Sequence, residues 1–375
     1  MTIEPFRLAV PDSELADLRT RLDLVRWPDE IPDAGWEYGV PLAYLQELVA
    51  YWRDTYDWRA AEARLNEWPQ FTTTIDGARV HFAHLRSDAP DAIPLILTHG
   101  WPGSIVEFTE VAGPLLESFH LVIPSIPGFG LSGPTRDRGW EYQRIARAWA
   151  VLMSELGYDR YGVQGGDWGA AISRELGRIH PERVIGVHLN LIPGAGATSE
   201  PTVAELEPLD QAERDRTWAS WRRFQAWSKE EQGYADLQST RPQTLAYALT
   251  DSPVGQLAWI AEKFVAWSDP ASEIDRDHLL TNVMLYWLTR TAGSAGRIYY
   301  ERAHTSYGEL TSATPTALLD LAHENFIPLR HKVARTDNLV RWTSHPHGGH
   351  FAAIEQAAVF VGDVRAFFTN LSYSR

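Results

Sequence analysis

Eight residues, Val163-Gln164-Gly165-Gly166-Asp167-Trp168-Gly169-Ala170, restrict what this chain can fold into more than any other stretch. A strand candidate, Arg160 to Val163, leads into them and a helical pattern, Ala170 to Ile179, leads out. The backbone must therefore turn sharply from strand to helix at Asp167. Gly165 and Gly169 let the two elements approach, and a turn this tight exposes the side chain between them. The arrangement is small-x-nucleophile-x-small, with Asp where Ser is more usual. The plainer alternative is that Asp167 only caps the helix N-terminus.

The rest of the chain supplies a sheet for that turn. Phe71 to Ile75 and Arg79 to His84 alternate with period two around Asp76-Gly77, a strong hairpin signal. Apolar strand candidates follow at Pro94 to Thr98, His120 to Pro124 and Val184 to Asn190, with helical patterns between them. Continuous apolar strands alternating with helices predict buried parallel strands in βα units. After Pro193 the strands stop, and helical patterns (Asp215 to Gln232, Thr244 to Trp267, His278 to Arg290) run to about Thr305. Strand patterns then resume at Pro315 to Ala322 and Asn338 to Ser344, before a closing helix at Ala352 to Phe368. The last two strands need the earlier ones as neighbours, so one sheet is interrupted by a helical cap after its sixth strand. Ahead of the sheet lies a helical arm rich in tryptophan (Trp27, Trp36, Trp52, Trp58, Trp68), read chiefly as packing residues. The expected division is 1–70 arm, 71–193 first part of the core, 194–305 cap and 306–375 second part of the core.

Composition narrows the partners. With 49 acidic against 34 basic residues, the formal charge of -15 repels phosphate backbones and anionic lipid. The absence of cysteine removes disulfides, thiolate nucleophiles and Cys-ligated metals. The opening MTIEPFRLAV lacks the basic start and apolar run of a signal peptide, and no stretch reaches membrane-spanning length, so a cytoplasmic protein is expected.

Three further segments carry groups that can act with Asp167. Leu97 to Ser104 follows an apolar strand, where the Trp101 N–H, together with that of Trp168, can point at developing negative charge. His99 in that segment is read as structural. His350, in His347-Gly348-Gly349-His350-Phe351, stands just after the last strand, where a general base belongs. His345 and His347 lie beside it, but no second ligand cluster accompanies them, so neither a metal nor a cofactor is expected. Glu324 follows the penultimate strand and is favoured over Asp320 and Asp337 as the acid that orients His350.

Taken together, these segments resemble the microsomal-type epoxide hydrolases, which carry an extra N-terminal domain ahead of an α/β-hydrolase core. The resemblance covers essentially the whole chain: Arg26-Trp27-Pro28 in the arm, HGWPGS at 99–104, GGDWG at the turn, the cap, and GGHFAAIEQ at 348–356. One departure is visible, since the family's acid segment usually reads Phe-Pro-x-Glu and here Leu321-Ala322-His323 precedes Glu324. The resemblance implies an α/β fold, with an α/β-hydrolase core, and two cap tyrosines that hold the epoxide oxygen. Tyr234 matches the first and Tyr299 the second, with Tyr300 as a rival. It implies attack by Asp167 on an epoxide, a covalent ester, and its hydrolysis to a vicinal diol by water activated by His350. The implied partners are a small-molecule epoxide and water, without nucleic acid or membrane, and a homodimer is the assembly considered. Membrane-bound relatives carry an apolar anchor before the arm; this sequence starts at the arm and is expected to be soluble.

Two rivals share parts of the pattern. A haloalkane dehalogenase also combines an Asp turn with a His base, but holds halide with ring N–H donors rather than paired tyrosines. A catalytically inactive relative would bind its ligand without turnover. A serine esterase lacks its G-x-S-x-G here. Aromatic cap residues (Trp218, Trp221, Trp227, Trp259, Trp267) are read as packing more than as pocket lining, and detoxification and secondary-metabolite tailoring, including of an enediyne-type intermediate, suit the sequence equally.

Overall fold

The structure, a computed structural model, describes residues 2–306 and 311–372. Residue 1 of the expected arm, and 307–310 and 373–375 of the expected final segment, lie outside the described residues. One nine-stranded sheet runs through the molecule. Its strands are β1 (Glu4–Phe6), β2 (Gln70–Ile75), β3 (Ala78–Leu85), β4 (Ile93–Thr98), β5 (Phe119–Pro124), β6 (Tyr161–Gly165), β7 (Val184–Leu189), β8 (Ser312–Leu321) and β9 (Asp337–His345). Their order is β1-β2-β3-β5-β4-β6-β7-β8-β9. β1, β2, β3 and β5 pair antiparallel; from β5 onward through β4, β6, β7, β8 and β9 every pairing is parallel.

The parallel strands are covered on both faces, which is why they read as apolar runs rather than alternating ones. Gly186 faces Phe367 of the C-terminal helix Ala357–Ser372, whereas its neighbour Val187 meets Gly177 of the helix Asp167–Ile179. Successive residues of a strand point to opposite faces, so these two helices sandwich the sheet. The β2–β3 hairpin closes through Asp76 and Gly77, both at positive φ (48° and 78°), as the twist of a two-residue hairpin requires.

Four expectations need correction, one being the closing helix, which is two helices, Ala352–Glu355 and Ala357–Ser372. The arm is not purely helical: β1 adds to the sheet edge, and its three residues carry no periodicity of their own because the pairing with β2 defines them. The helical insertion therefore follows the seventh strand in chain order, between β7 and β8, rather than the sixth. The continuous helix expected over Thr244 to Trp267 is two helices, Pro242–Asp251 and Pro253–Ala266. Pro253 disfavours helical backbone at Ser252, whose hydroxyl instead accepts from the Gly255 N–H at 2.9 Å and caps the second helix. No described helix is long and apolar enough to cross a membrane.

Candidate active site

Asp167 stands where the parallel strand β6 ends and the helix Asp167–Ile179 begins, at φ 49°. A left-handed backbone at a non-glycine residue costs about 1–3 kcal/mol and persists only when the surroundings impose it. Those surroundings are backbone. A Cβ on Gly165 would lie 2.1 Å from the Gly169 carbonyl oxygen, and one on Gly169 would lie 1.9 Å from that of Thr98. Strand β6, the helix and the end of β4 are therefore locked together, with the carboxylate held above them.

Each carboxylate oxygen has a different neighbour. The Trp101 N–H donates to Oδ1 at 2.8 Å, from a segment whose Trp101–Pro102 bond is cis. Trp168 is the second residue of its helix, where the first four N–H groups lack intrahelical partners. Oδ2 lies 3.5 Å from Nε2 of His350. On the other side of that ring, Nδ1 lies 3.0 Å from Oε1 of Glu324, which is buried in the turn after β8. The backbone also fixes the histidine, since its N–H donates to the Trp267 carbonyl at 2.9 Å, and the Trp267 ring meets it edge-on at 5.0 Å. Burial opposes a positive charge on His350, but Glu324 and then Asp167 outweigh it and hold its pKa well above the usual imidazole value.

The rival acids are engaged elsewhere. Asp320 stays inside β8 and accepts from Arg216 at 2.7 Å, and Asp337 opens β9 in an ion pair with Arg174 at 2.6 Å. His99 is buried between the Gly100 carbonyl, 3.0 Å from Nδ1, and the Ile126 N–H, 3.2 Å from Nε2. Burial lowers its pKa to about 4, so it remains a neutral brace. His347 is largely exposed, and no group of acids and histidines among the described residues is arranged to hold a metal.

Two tyrosines from the helical insertion close the space above Asp167. Tyr234 stacks on Trp101 with centroids 4.9 Å apart, and Tyr299 meets it edge-on at 5.8 Å and Trp168 at 4.8 Å. Burial, and then the nearby charge of Asp167, raise the Tyr234 pKa; burial, Tyr234 and Asp167 do the same for Tyr299. Both therefore stay protonated as donors. Tyr300 faces away and stacks on exposed His304 at 3.9 Å. A cavity of about 660 Å³ opens from Asp167, Tyr234 and Tyr299, with Trp168, Leu191 and Phe326 among its walls. The sequence reading missed Glu107, whose carboxyl faces Asp167 and His350 from the segment after HGWPGS. Its only sequence signal was proximity to that segment.

Residues 3–108 match the family described as epoxide hydrolase N terminus, and 93–357 match the α/β-hydrolase fold family. Across 98% of this chain and 88% of the relative, epoxide hydrolase 1 of Sus scrofa is 31% identical. The chain belongs to the epoxide hydrolases. A Stigmatella aurantiaca protein named provisionally as an epoxide hydrolase is 43% identical over 98% of this chain and 85% of its own length. The Aspergillus niger epoxide hydrolase structure superposes with a TM-score of 0.88 at 34% identity, covering 99% of this chain and 97% of that one. Juvenile hormone epoxide hydrolase from Bombyx mori gives 0.89 at 30% identity, with 99% and 95% covered. The protein is thus an enzyme that hydrolyses epoxides on an α/β-hydrolase fold.

Proposed function

We propose that this epoxide hydrolase works through a covalent ester on Asp167, with His350 as base, Glu324 orienting it, and Tyr234 and Tyr299 as donors to the epoxide oxygen. The observation that carries the reading is the division of labour at the Asp167 carboxylate. Oδ1 is engaged by the Trp101 N–H while Oδ2 is left facing His350, beneath two protonated tyrosines.

Oδ2 attacks a ring carbon, the C–O bond breaks, and a tyrosine supplies a proton to the alkoxide. Ester formation removes the negative charge of Asp167, one of the two charges that hold the His350 pKa up. With its pKa lowered, the imidazole gives up its proton and is free to act as a base at the stage that needs one. It then takes a proton from water, the hydroxide attacks the ester carbonyl carbon, and the Trp101 and Trp168 N–H groups stabilise the resulting oxyanion, each donor contributing about 3 kcal/mol. Collapse releases a vicinal diol as the leaving alkoxide takes the proton from His350, and the proton left on the Asp167 carboxyl returns to the tyrosinate.

The substrate class is proposed as a bulky or aryl-substituted epoxide, supported by the size of the cavity and by Trp168, Leu191, Phe224 and Phe326 on its walls. Detoxification and secondary-metabolite tailoring both remain compatible with such a substrate. The proposed organisation is an arm over 1–70, core segments over 71–193 and 306–375, and a cap over 194–305, supported by the run of helices among the described residues between β7 and β8.

A single turnover of styrene oxide in oxygen-18 water with excess enzyme tests the chemistry. Label in the Asp167 carboxylate and an unlabelled diol are expected. Label in the diol alone would mean direct attack by water and would overturn the assignment of Asp167.

A further inference from the structure

Beside the Asp167 carboxylate lies a second, small space of about 10 Å³. That is close to the room one water centre needs. Its lining includes Gln164, Gly166, Asn190, Glu107, Asp167 and His350. Phe108, Phe351 and Phe360 also line it, but the space is too small for part of a substrate, and its polar groups can supply the two to four hydrogen-bonding partners that a buried water needs.

Two observations show partners in waiting. Gln164 is 1% exposed, and while its Nε2 donates to Asn190 Oδ1 at 3.1 Å, its Oε1 has no hydrogen-bond partner. A buried acceptor left unpaired costs about 1–3 kcal/mol, so it points to a donor that completes it. Glu107 keeps some accessible area, yet its carboxyl is surrounded by protein and faces both Asp167 and His350. Gly103 makes room for it: a Cβ there would lie 1.5 Å from Glu107 Oε1.

We infer that this space is the seat of the hydrolytic water, with Glu107 and Gln164 as the residues that position it between His350 and the Asp167 carbonyl carbon. The inference rests on the ester mechanism proposed above. Burial pushes the Glu107 carboxyl up to about 8 against the opposing charge of His350, and a carboxyl that holds its proton at neutral pH can both donate and accept. The seated water gives one proton to His350 Nε2, and its oxygen bonds to the ester carbon. The ester C–O bond then breaks, the departing alkoxide takes the proton back from His350 as the diol leaves, and the water's second proton, left on the Asp167 carboxyl, returns to the tyrosinate formed in the first step. Glu107 gains and loses no proton overall; it holds the water's second hydrogen or a lone pair in place.

The test separates the two half-reactions by rapid quench, following the ester on the Asp167 peptide by mass spectrometry. For Glu107→Ala the expected result is ester formation within about twofold of wild type and ester hydrolysis slowed at least tenfold, so that ester accumulates. Glu107→Gln, which keeps a neutral donor and acceptor, should recover much of the hydrolysis rate, a rescue that a merely structural role would not give. Gln164→Leu should slow hydrolysis selectively and serves if the first variant folds poorly. Equal slowing of both steps, or of neither, in variants that fold would overturn the positioning role. Absence of any ester in wild type would instead overturn the underlying mechanism, and the water seat with it.

Discussion

At Tyr234 and Tyr299, burial does two things that work together. It keeps both phenols protonated above the ordinary tyrosine range, and it removes the water that would compete for the alkoxide. A donor of this kind contributes roughly 10²- to 10⁴-fold to a rate. Tyr234→Phe should therefore slow ester formation at least about 100-fold while leaving hydrolysis of preformed ester nearly unchanged, as read by single-turnover kinetics. Because ionisation of either phenol is displaced upward, the wild-type rate of ester formation should show no loss from tyrosine ionisation as pH rises through about 10, the ordinary value. A decline centred there would mean that neither hydroxyl is as enclosed as its contacts with Trp101 and Trp168 imply.

The turn at Asp167 is an element whose glycines are set by backbone contact. Gly169→Ala would push a methyl into the Thr98 carbonyl, and overpacking of that kind costs about 1–3 kcal/mol. Chemical denaturation should register the loss, and activity should fall further, because relief of the clash parts the helix from β4 and moves the carboxylate off the Trp101 N–H. This turn was legible in the sequence because one short segment encodes it; the hairpin at Asp76-Gly77 and the parallel strands were legible for the same reason. The meeting of Asp167, His350 and Glu324 was anticipated only through strand order, and the two cap tyrosines only through resemblance. What escaped was set by tertiary pairing. β1 exists because the edge of β2 accepts it, and the break at Ser252 was hidden by apolar periodicity that continues across Pro253. Glu107 escaped because a carboxylate on a short helical turn looks solvent-facing until the fold encloses it.

Across the whole molecule, a chain of contacts joins the N-terminal helices to the nucleophile. Tyr56 in the arm bonds to Thr281 at 2.9 Å, and Tyr51 donates to Asp277 at 2.7 Å, both on the helix Arg276–Thr289. That helix in turn holds the segment after β4, through Asn282 to the Pro102 carbonyl at 2.8 Å and Tyr286 to the Gly103 carbonyl at 2.6 Å. The same segment supplies the Trp101 N–H to Asp167. Exposed ion pairs along the seam, such as Arg276 with Glu47, add little, so the attachment depends on buried side chains such as Trp52 and Trp58. Trp52→Ala should cost about 3–5 kcal/mol. Hydrogen exchange should find the lost protection first in 42–54 and 276–289, then in 99–104, with the central strands β4 and β6 protected longest. Activity should fall in step with exchange at 99–104 rather than with global unfolding. Uniform loss of protection across the sheet would instead show that the arm and core unfold as one cooperative unit, leaving no separate route from the arm to Asp167.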